Sequence, residues 1–177
     1  VNAEAIFHYF SFKNIPSPLT AFQDVFCLLP GEILEYSKGA LSKKKWWKVN
    51  FRENESLNEV LVKDTIISLL EDSVRLRMDC DVPFGAYLSG GLDSSLIVSI
   101  MAQVADKPIK TFSLGYEDDL KSKEADLFFA REVSKQYRTD HHEYIMSSKE
   151  LVDDIEDVIA AFDQPFSGTI STFFLSK

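Results

Sequence analysis

A seven-residue stretch, residues 89–95, brings together residue types that can bind a phosphate chain. It contains Ser89, Gly90, Gly91, Asp93, Ser94 and Ser95. Glycines allow the backbone to approach a ligand without an intervening side chain, and the serines add short hydroxyl donors. The Asp93 carboxylate can hold a divalent cation on phosphate oxygens. The stretch therefore predicts a site for phosphates and a metal ion.

The segments on either side of this stretch predict how it is positioned. The apolar run 82–88 predicts a buried parallel strand, and residues 96–101 predict the start of a helix. A strand, a glycine turn and a helix in this order point free backbone N–H groups at an anion. The stretch is not a Walker A loop, because Asp93 occupies the position of that motif's lysine. The alternative is a Gly-Gly turn with a serine or aspartate helix cap and no ligand.

Strands and helices alternate through the second part of the chain. The predicted strands are 84–88, 109–116 and 142–146, and the predicted helices are 93–104, 122–137, 149–161 and 169–177. Such alternation predicts an α/β fold with a parallel sheet and helices on both faces. A nucleotide binds at the carboxyl ends of strands of this kind, which is where Ser89, Asp93 and Leu114 fall.

Residues 1–55 follow a different pattern. An aromatic helix is predicted over 3–12, a hairpin that turns at Pro30-Gly31, and a further strand over 46–51. The run of three lysines, 43–45, is expected in a solvated turn before that strand. These segments resemble the edge of an antiparallel β domain rather than a whole one.

A linker, 52–55, separates this part from the rest and predicts two domains, 1–55 and 56–177. Ser56 and Glu59 form a capping-box pattern at the start of a helix. The second domain would therefore begin with a helix and continue into the alternating segment.

Composition and charge exclude several broad functions. The net charge of −9 argues against a general role in binding nucleic acids or membrane surfaces, and no stretch approaches the length of a membrane span. Cys27 and Cys80 match no metal or redox spacing, so buried, reduced thiols in a cytoplasmic protein are expected.

Other groups that could do chemistry receive structural interpretations. His141 and His142 are adjacent on a predicted strand and point to opposite faces, so they cannot form a two-histidine metal site. The acidic pairs 153–154 and 156–157 have the spacing of a solvated helix surface.

The residues resemble one family closely. The SGGxDS form of residues 89–94 resembles the pyrophosphate loop of ATP pyrophosphatases, which cut ATP between the α and β phosphates. The whole run 82–95 resembles the start of the synthetase domain of glutamine-hydrolysing asparagine synthetases. Later stretches that resemble the same family are 111–115, 124–131, 141–143, 162–166 and 174–177. Before the linker, 20–22 and 28–32 resemble the tail of that family's glutaminase domain.

The resemblance implies a fold and a reaction. Residues 56–177 would be the first part of an ATP-pyrophosphatase domain similar to the adenine nucleotide α-hydrolases, and residues 1–55 a β-rich remnant of an N-terminal nucleophile-type domain. The family adenylates the side-chain carboxylate of aspartate with ATP and Mg²⁺, releasing pyrophosphate. Ammonia derived from glutamine then attacks the acyl-adenylate to give asparagine.

The resemblance also assigns roles to residues. Ser89, Asp93 and Ser94 would act at the reacting phosphates, and Asp93 would be the Mg²⁺ ligand. Leu88 and Leu114 match family positions that contact adenosine through backbone and apolar surface. The implied nucleotide contacts are Leu88, Ser89, Gly90, Gly91, Asp93, Ser94, Ser95 and Leu114.

Three departures from the family pattern keep other functions open. The chain begins after the glutaminase nucleophile, a second ATP-site loop is expected beyond Lys177, and Gln164 replaces an acidic residue. The alternatives are a sugar amidotransferase, a β-lactam-forming synthetase, or a piece that binds nucleotide without turnover. The isolated 177 residues are expected to be inactive and to self-associate, for instance as a homodimer, through an apolar sheet edge.

Overall fold

The computed structural model describes residues 1–51, 58–117, 121–162, 165, 168 and 170–177, with the backbone alone for 121–124. The helices are α1 (Ala3–Phe12), α2 (Glu59–Met78), α3 (Leu92–Val104), α4 (Lys121–Tyr137), α5 (Ser148–Asp153), α6 (Ile155–Ala160) and α7 (Ile170–Ser176). The strands are β1 (Glu32–Ser37), β2 (Ala40–Lys45), β3 (Gly85–Tyr87), β4 (Lys110–Tyr116) and β5 (Asp140–Met146).

Contacts divide the chain into two compact units. One consists of residues 1–55 and 158–170, and the other of 56–157 and 171–177. The first unit contains helix α1 and the β1–β2 hairpin, and the second contains the three remaining strands.

The three strands of the second unit form a parallel sheet in the order β3-β4-β5. Lys110 of β4 lies between Gly85 and Asp140 of its neighbours, which sets the register of the whole sheet. The predicted α/β fold with a parallel sheet is confirmed. The first strand is shorter than the predicted 84–88, because its pairing to β4 ends at Tyr87.

Helices cover both faces of this sheet. On one face, a Cβ added to Gly115 would lie 2.7 Å from Cδ1 of Leu127, so α4 packs directly on β4. On the other face, the ring of Tyr144 stacks on Phe174 of α7 with centroids 6.4 Å apart. Because side chains alternate along a strand, these two contacts lie on opposite sides of the sheet.

The apolar core lies beneath helices α2, α3 and α4. One cluster of buried residues contains Val74, Ile100, Met101 and Ile109, and a second contains Leu88, Val98 and Ala130. The second cluster anchors both ends of the 89–95 stretch, because Leu88 precedes it and Val98 follows it by three residues within α3.

The hairpin of the first unit differs from the prediction in its turn. Strands β1 and β2 join at Lys38 and Gly39, which both have positive φ (50° and 81°), and not at Pro30-Gly31. Two successive residues of positive φ match the twist of a two-residue hairpin. Gly31 instead lies at the open end of the hairpin, where its carbonyl accepts the Trp46 N–H at 2.9 Å.

The positions of the lysine run and of the aromatic segment were also predicted wrongly. Lys43, Lys44 and Lys45 lie within β2, and Lys43 Nζ is 3.3 Å from Glu32 Oε2 on the facing strand. The segment 46–51 forms no regular strand. The register of the hairpin places the lysines opposite β1, so pairing overrides the local composition.

Two helix boundaries differ from the prediction. Helix α2 begins at Glu59 with Asn58 as its cap, whose side chain accepts the Val60 N–H at 2.8 Å. Ser56 and the linker 52–55 lie outside the described residues. The predicted helix 149–161 consists of α5 and α6, which are separated at Asp154.

Candidate phosphate-binding site

The predicted strand–loop–helix arrangement is present at residues 85–104. The loop leaves β3 at the buried Leu88 and enters α3 at Leu92, with Gly91 as an extended N-cap residue that makes no side-chain capping bond. A helix leaves its first backbone N–H groups without intrahelical acceptors. None of the residues that the structure describes accepts a hydrogen bond from the N–H of Gly90, Leu92, Asp93 or Ser94. These donors are therefore available to an anion.

Gly90 has a structural requirement beyond the one argued from the sequence. Its φ is +78°, and a Cβ added there would lie 2.2 Å from the Asp126 carbonyl oxygen and 2.9 Å from the Ala130 backbone nitrogen. The loop therefore presses directly on the backbone of α4. Gly91 differs, because its φ is −73° and an added Cβ would meet only Ser89 Oγ at 3.3 Å.

The three serine hydroxyls of the loop bond to the loop itself. Ser89 Oγ and Ser94 Oγ are 3.0 Å apart, and Ser89 Oγ also accepts the Gly91 N–H at 3.3 Å. The hydroxyls of Ser94 and Ser95 donate to the Gly91 carbonyl at 3.2 and 2.7 Å. The loop is thus held in shape by its own side chains before any ligand arrives, and these hydroxyls would rotate to donate to a phosphate.

Asp93 lies in the first turn of α3 with its side chain exposed. It pairs with no residue that the structure describes. No three metal-ligating side chains cluster in the described ranges. Mg²⁺ is commonly held by one or two carboxylates together with substrate phosphates. A free carboxylate beside unpaired N–H groups fits such an ion.

The second predicted contact strand, β4, lies directly beside the loop. Strand β3 parts from β4 after Leu88, whose N–H donates to the Phe112 carbonyl at 2.8 Å. Leu88, Ser89 and Leu114 line one cavity of about 130 Å³ at these strand ends. The structure therefore brings the residues predicted to contact the nucleotide into one region.

The sequence did not reveal two groups that shape this region. The backbone of α4 at Asp126 sets the position of Gly90, and the Ser113 hydroxyl donates to the Leu88 carbonyl. Both partners are distant in sequence, so no local pattern pointed to them. The one available signal was the run of small residues on alternate positions of β4, namely Thr111, Ser113 and Gly115.

A larger cavity of about 370 Å³ lies on the α7 side of the sheet. Two of its ionisable groups, Tyr144 and Glu150, pair with each other, and a third, Lys177, pairs with Asp154. The Tyr144 hydroxyl donates to Glu150, a bond that raises the pKa of Tyr144 to about 12. Lys177 Nζ lies 2.6 Å from Asp154 Oδ2, and this carboxylate raises the pKa of the lysine. These groups stabilise the packing of the elements around the cavity.

The two adjacent histidines face opposite sides of the sheet, as predicted. His141 Nδ1 is 2.9 Å from the Thr111 hydroxyl, whereas the His142 ring stacks on Phe112 with centroids 5.3 Å apart. Arg131 donates two hydrogen bonds to Glu143 at 2.6 and 2.7 Å, and His141 Nε2 lies 3.4 Å from the same carboxylate. His141 therefore belongs to a polar cluster between α4 and β5.

This cluster predicts a loss of stability in acid. Burial lowers the pKa of His141 against the opposing attraction of Glu143, and the Arg131 hydrogen bonds lower the pKa of Glu143. Because the unfolded chain then binds protons more readily than the native state, the free energy of unfolding falls as the pH drops from about 7 to about 5 through the titration of His141. The fall continues in stronger acid through Glu143.

Denaturant unfolding at several pH values checks this prediction. We expect His141→Gln to flatten the dependence between about pH 7 and about pH 5. His142→Gln is the control, because that side chain is 50% exposed and lies on the other face. An unchanged slope in His141→Gln would contradict the assignment.

Several other expectations meet a different outcome. Cys27 and Cys80 form no disulfide but are exposed, not buried, because both lie in surface segments outside the core clusters. Of the acidic pairs 153–154 and 156–157, Asp153, Glu156 and Asp157 are exposed as predicted, whereas Asp154 is half-buried and pairs with Lys177. Gln164 lies outside the described residues. No helix of the described ranges is long and apolar enough to cross a membrane.

The sequence of this chain is similar to that of proteins in one known family. Residues 65–177 match the family model described as asparagine synthase. Over 171 residues the chain is 32% identical to the putative asparagine synthetase (glutamine-hydrolyzing) 2 of Methanocaldococcus jannaschii, an alignment that covers 94% of this chain and 32% of that protein. It is also 32% identical over 180 residues to asparagine synthetase (glutamine-hydrolyzing) 1 of Bacillus subtilis, covering 100% of this chain and 28% of that protein.

A vertebrate relative matches a shorter region. The asparagine synthetase (glutamine-hydrolyzing) of Gallus gallus is 35% identical over 107 residues, which cover 58% of this chain and 18% of that protein. The chain thus spans a third or less of the length of these relatives.

Proposed function

Because the chain belongs to the asparagine synthase family, we propose that it supplies the phosphate-binding part of an enzyme that makes asparagine from aspartate, ATP and ammonia derived from glutamine. Residues 56–177 are the first part of an ATP-pyrophosphatase domain, and residues 1–55 are the tail of a glutaminase domain. The observation that carries the proposal is the group of unpaired N–H donors at Gly90, Leu92, Asp93 and Ser94.

The reaction begins with attack on ATP. A side-chain carboxylate oxygen of aspartate bonds to the α-phosphorus, the bond to the β-phosphate breaks, and pyrophosphate leaves with its electron pair. Ammonia then attacks the acyl carbon, and AMP departs as asparagine forms. Charge accumulates on the leaving pyrophosphate, so fixed donors aimed at that charge lower the barrier.

The loop residues perform this stabilisation. The backbone N–H groups of Gly90, Leu92, Asp93 and Ser94 donate to the phosphate oxygens, and the dipole of α3 adds to the attraction. The hydroxyls of Ser89, Ser94 and Ser95 rotate from their bonds within the loop to donate as well. As a scale, one such donor is worth about 3 kcal/mol at a transition state.

Asp93 holds Mg²⁺ in this scheme. Mg²⁺ bound there would neutralise charge on the phosphate oxygens, and the exposed, unpaired carboxylate is suited to holding it. Leu88 and Leu114 hold the adenosine, since both line the cavity at the carboxyl ends of β3 and β4.

Calorimetry with Mg·ATP tests the binding half of the proposal. We expect the protein to bind Mg·ATP and to bind Mg·GTP more weakly. The part of the site proposed to hold the adenosine consists of strand backbone and the apolar side chains of Leu88 and Leu114. Aspartate-dependent exchange of labelled pyrophosphate into ATP, measured on the full-length enzyme, tests the reaction. If another carboxylate or a sugar-linked acceptor supports the exchange and aspartate does not, the result would contradict aspartate as the acceptor. A protein that binds no ATP would contradict the site.

A further inference from the structure

The hydrogen-bond ladder between β3 and β4 stops one step early. The Leu88 N–H donates to the Phe112 carbonyl at 2.8 Å. In a parallel ladder the next bond would run from the Leu114 N–H to the Leu88 carbonyl. That bond is absent from the described residues, and the Ser113 hydroxyl donates to the Leu88 carbonyl in its place.

Because the Ser113 hydroxyl takes the place of a backbone donor at the Leu88 carbonyl, the backbone groups of Leu114 on that side of β4 lack partners among the described residues. Alternate residues of β4 direct their backbone groups to β3 and to β5, and Leu114 belongs to the set that faces β3. No residue that the structure describes bonds to its N–H or its C=O. Both groups therefore lie free at the cavity of about 130 Å³ that Leu88, Ser89 and Leu114 line.

The free N–H and C=O of Leu114 can form hydrogen bonds with a nucleotide base. A strand N–H and the C=O of the same residue form a donor and an acceptor side by side. The Watson–Crick edge of adenine offers the complementary pair, an acceptor at N1 and a donor at the 6-amino group.

We propose that Ser113 is a positioning residue for the adenine base, an inference that rests on the proposed ATP-binding function. Its hydroxyl occupies the Leu88 carbonyl and so keeps the Leu114 N–H free for the nucleotide. Ser113 also lines this cavity, but it is only 4% exposed and its hydroxyl is engaged by the Leu88 carbonyl. It therefore acts through Leu88 and Leu114 and not by reaching the base. Without its hydroxyl, the Leu88 carbonyl would take the Leu114 N–H as donor and the ladder would extend by one bond.

A structural role and this positioning role make different predictions. If the hydroxyl only stabilised the fold, its loss would weaken all ligands together. In the positioning role, Ser113→Ala costs little stability, because the carbonyl finds a new donor. It weakens only the ligands that carry the base.

The experiment compares Mg·ATP with Mg·tripolyphosphate, which has no base, on the protein and its Ser113→Ala variant. We expect the Kd of ATP to rise about three- to tenfold and that of tripolyphosphate to stay unchanged. Ser113→Thr retains the hydroxyl and is expected to keep the ATP affinity. Ser99→Ala is the matched control, because Ser99 is a buried serine whose hydroxyl donates within α3 to Leu96 at 2.7 Å.

Amide hydrogen exchange of Leu114 adds a readout that needs no ligand. We expect this amide to exchange faster than those of its strand neighbours in the parent and to become protected in Ser113→Ala. Equal ATP affinity in parent and variant, or an equal loss for both ligands, would overturn the proposal. If the parent binds neither ligand, the proposed function fails. The exchange rate of the Leu114 amide still shows whether its N–H is free of a bond to β3. A protected Leu114 amide in the parent would overturn the positioning role, whether or not the alanine variant folds.

Discussion

Replacing Gly90 by alanine is expected to destabilise the second unit by about 3 kcal/mol and to abolish measurable ATP binding. The residue has a φ of +78°, which alanine adopts only with strain, and the new Cβ would overlap the Asp126 carbonyl oxygen at 2.2 Å. The two nearest atoms that the Cβ would meet, the Asp126 oxygen and the Ala130 nitrogen, belong to the backbone, so neither can rotate away as a side chain could. Urea unfolding followed by circular dichroism measures the loss of stability, and calorimetry measures the loss of binding.

Alanine variants of two other glycines separate the effect of backbone strain from that of steric overlap. Gly39 has a φ of +81° with no atom within 4 Å of an added Cβ, so Gly39→Ala reports left-handed strain alone, about 1 kcal/mol. Gly91 has an extended backbone and an open Cβ position apart from Ser89 Oγ, so Gly91→Ala should keep the stability. Any loss of ATP affinity in Gly91→Ala then reflects the approach of the phosphates. A Gly90→Ala variant as stable as Gly91→Ala would contradict the packing argument.

Asp93→Asn is expected to weaken Mg·ATP about thirtyfold, the equivalent of about 2 kcal/mol, because a metal ligand is lost. In EDTA the direction should reverse. Without the metal, the carboxylate of the parent repels the phosphates, so the variant binds free ATP as tightly or more tightly. Titration by calorimetry in Mg²⁺ and in EDTA measures both affinities.

Asp106→Asn is the control for the change in net charge. Asp106 is exposed just beyond the opposite end of α3, in the same unit. We expect it to bind ATP like the parent in both media. Equal weakening of Asp93→Asn with and without Mg²⁺ would contradict the metal role and would indicate a disturbed loop.

Local signals explain why the strand–loop–helix arrangement around the candidate site could be predicted from the sequence. An apolar run, a glycine pair and a helical periodicity follow one another within 20 residues, so the order of strand, loop and helix depends on contiguous residues. The predicted bounds of α1 and the end of β4 are confirmed for the same reason. The family assignment is also confirmed, and it rests on runs of adjacent residues such as 82–95.

Two of the wrong predictions concern the hairpin, where strand pairing competes with local preferences. Pro30-Gly31 is a good local turn signal, yet the hairpin turns at Lys38-Gly39, where two positive φ angles fit the twist of the paired strands. The lysine run was expected in a turn and lies in β2, because β1 supplies its partners. In both cases the pairing energy of a second strand outweighed a local preference.

The sequence by itself determined the order of strand, loop and helix around residues 88–95, because loop order and helix start are local properties of these residues. Only the tertiary structure decided why Gly90 must be glycine, since its neighbour Asp126 lies on another helix. Only the tertiary structure also decided that the Leu114 edge is free, because this depends on a bond between Ser113 and Leu88, 25 residues apart. Close approach of backbone segments that are distant in sequence depends on packing, and a local sequence pattern does not predict packing.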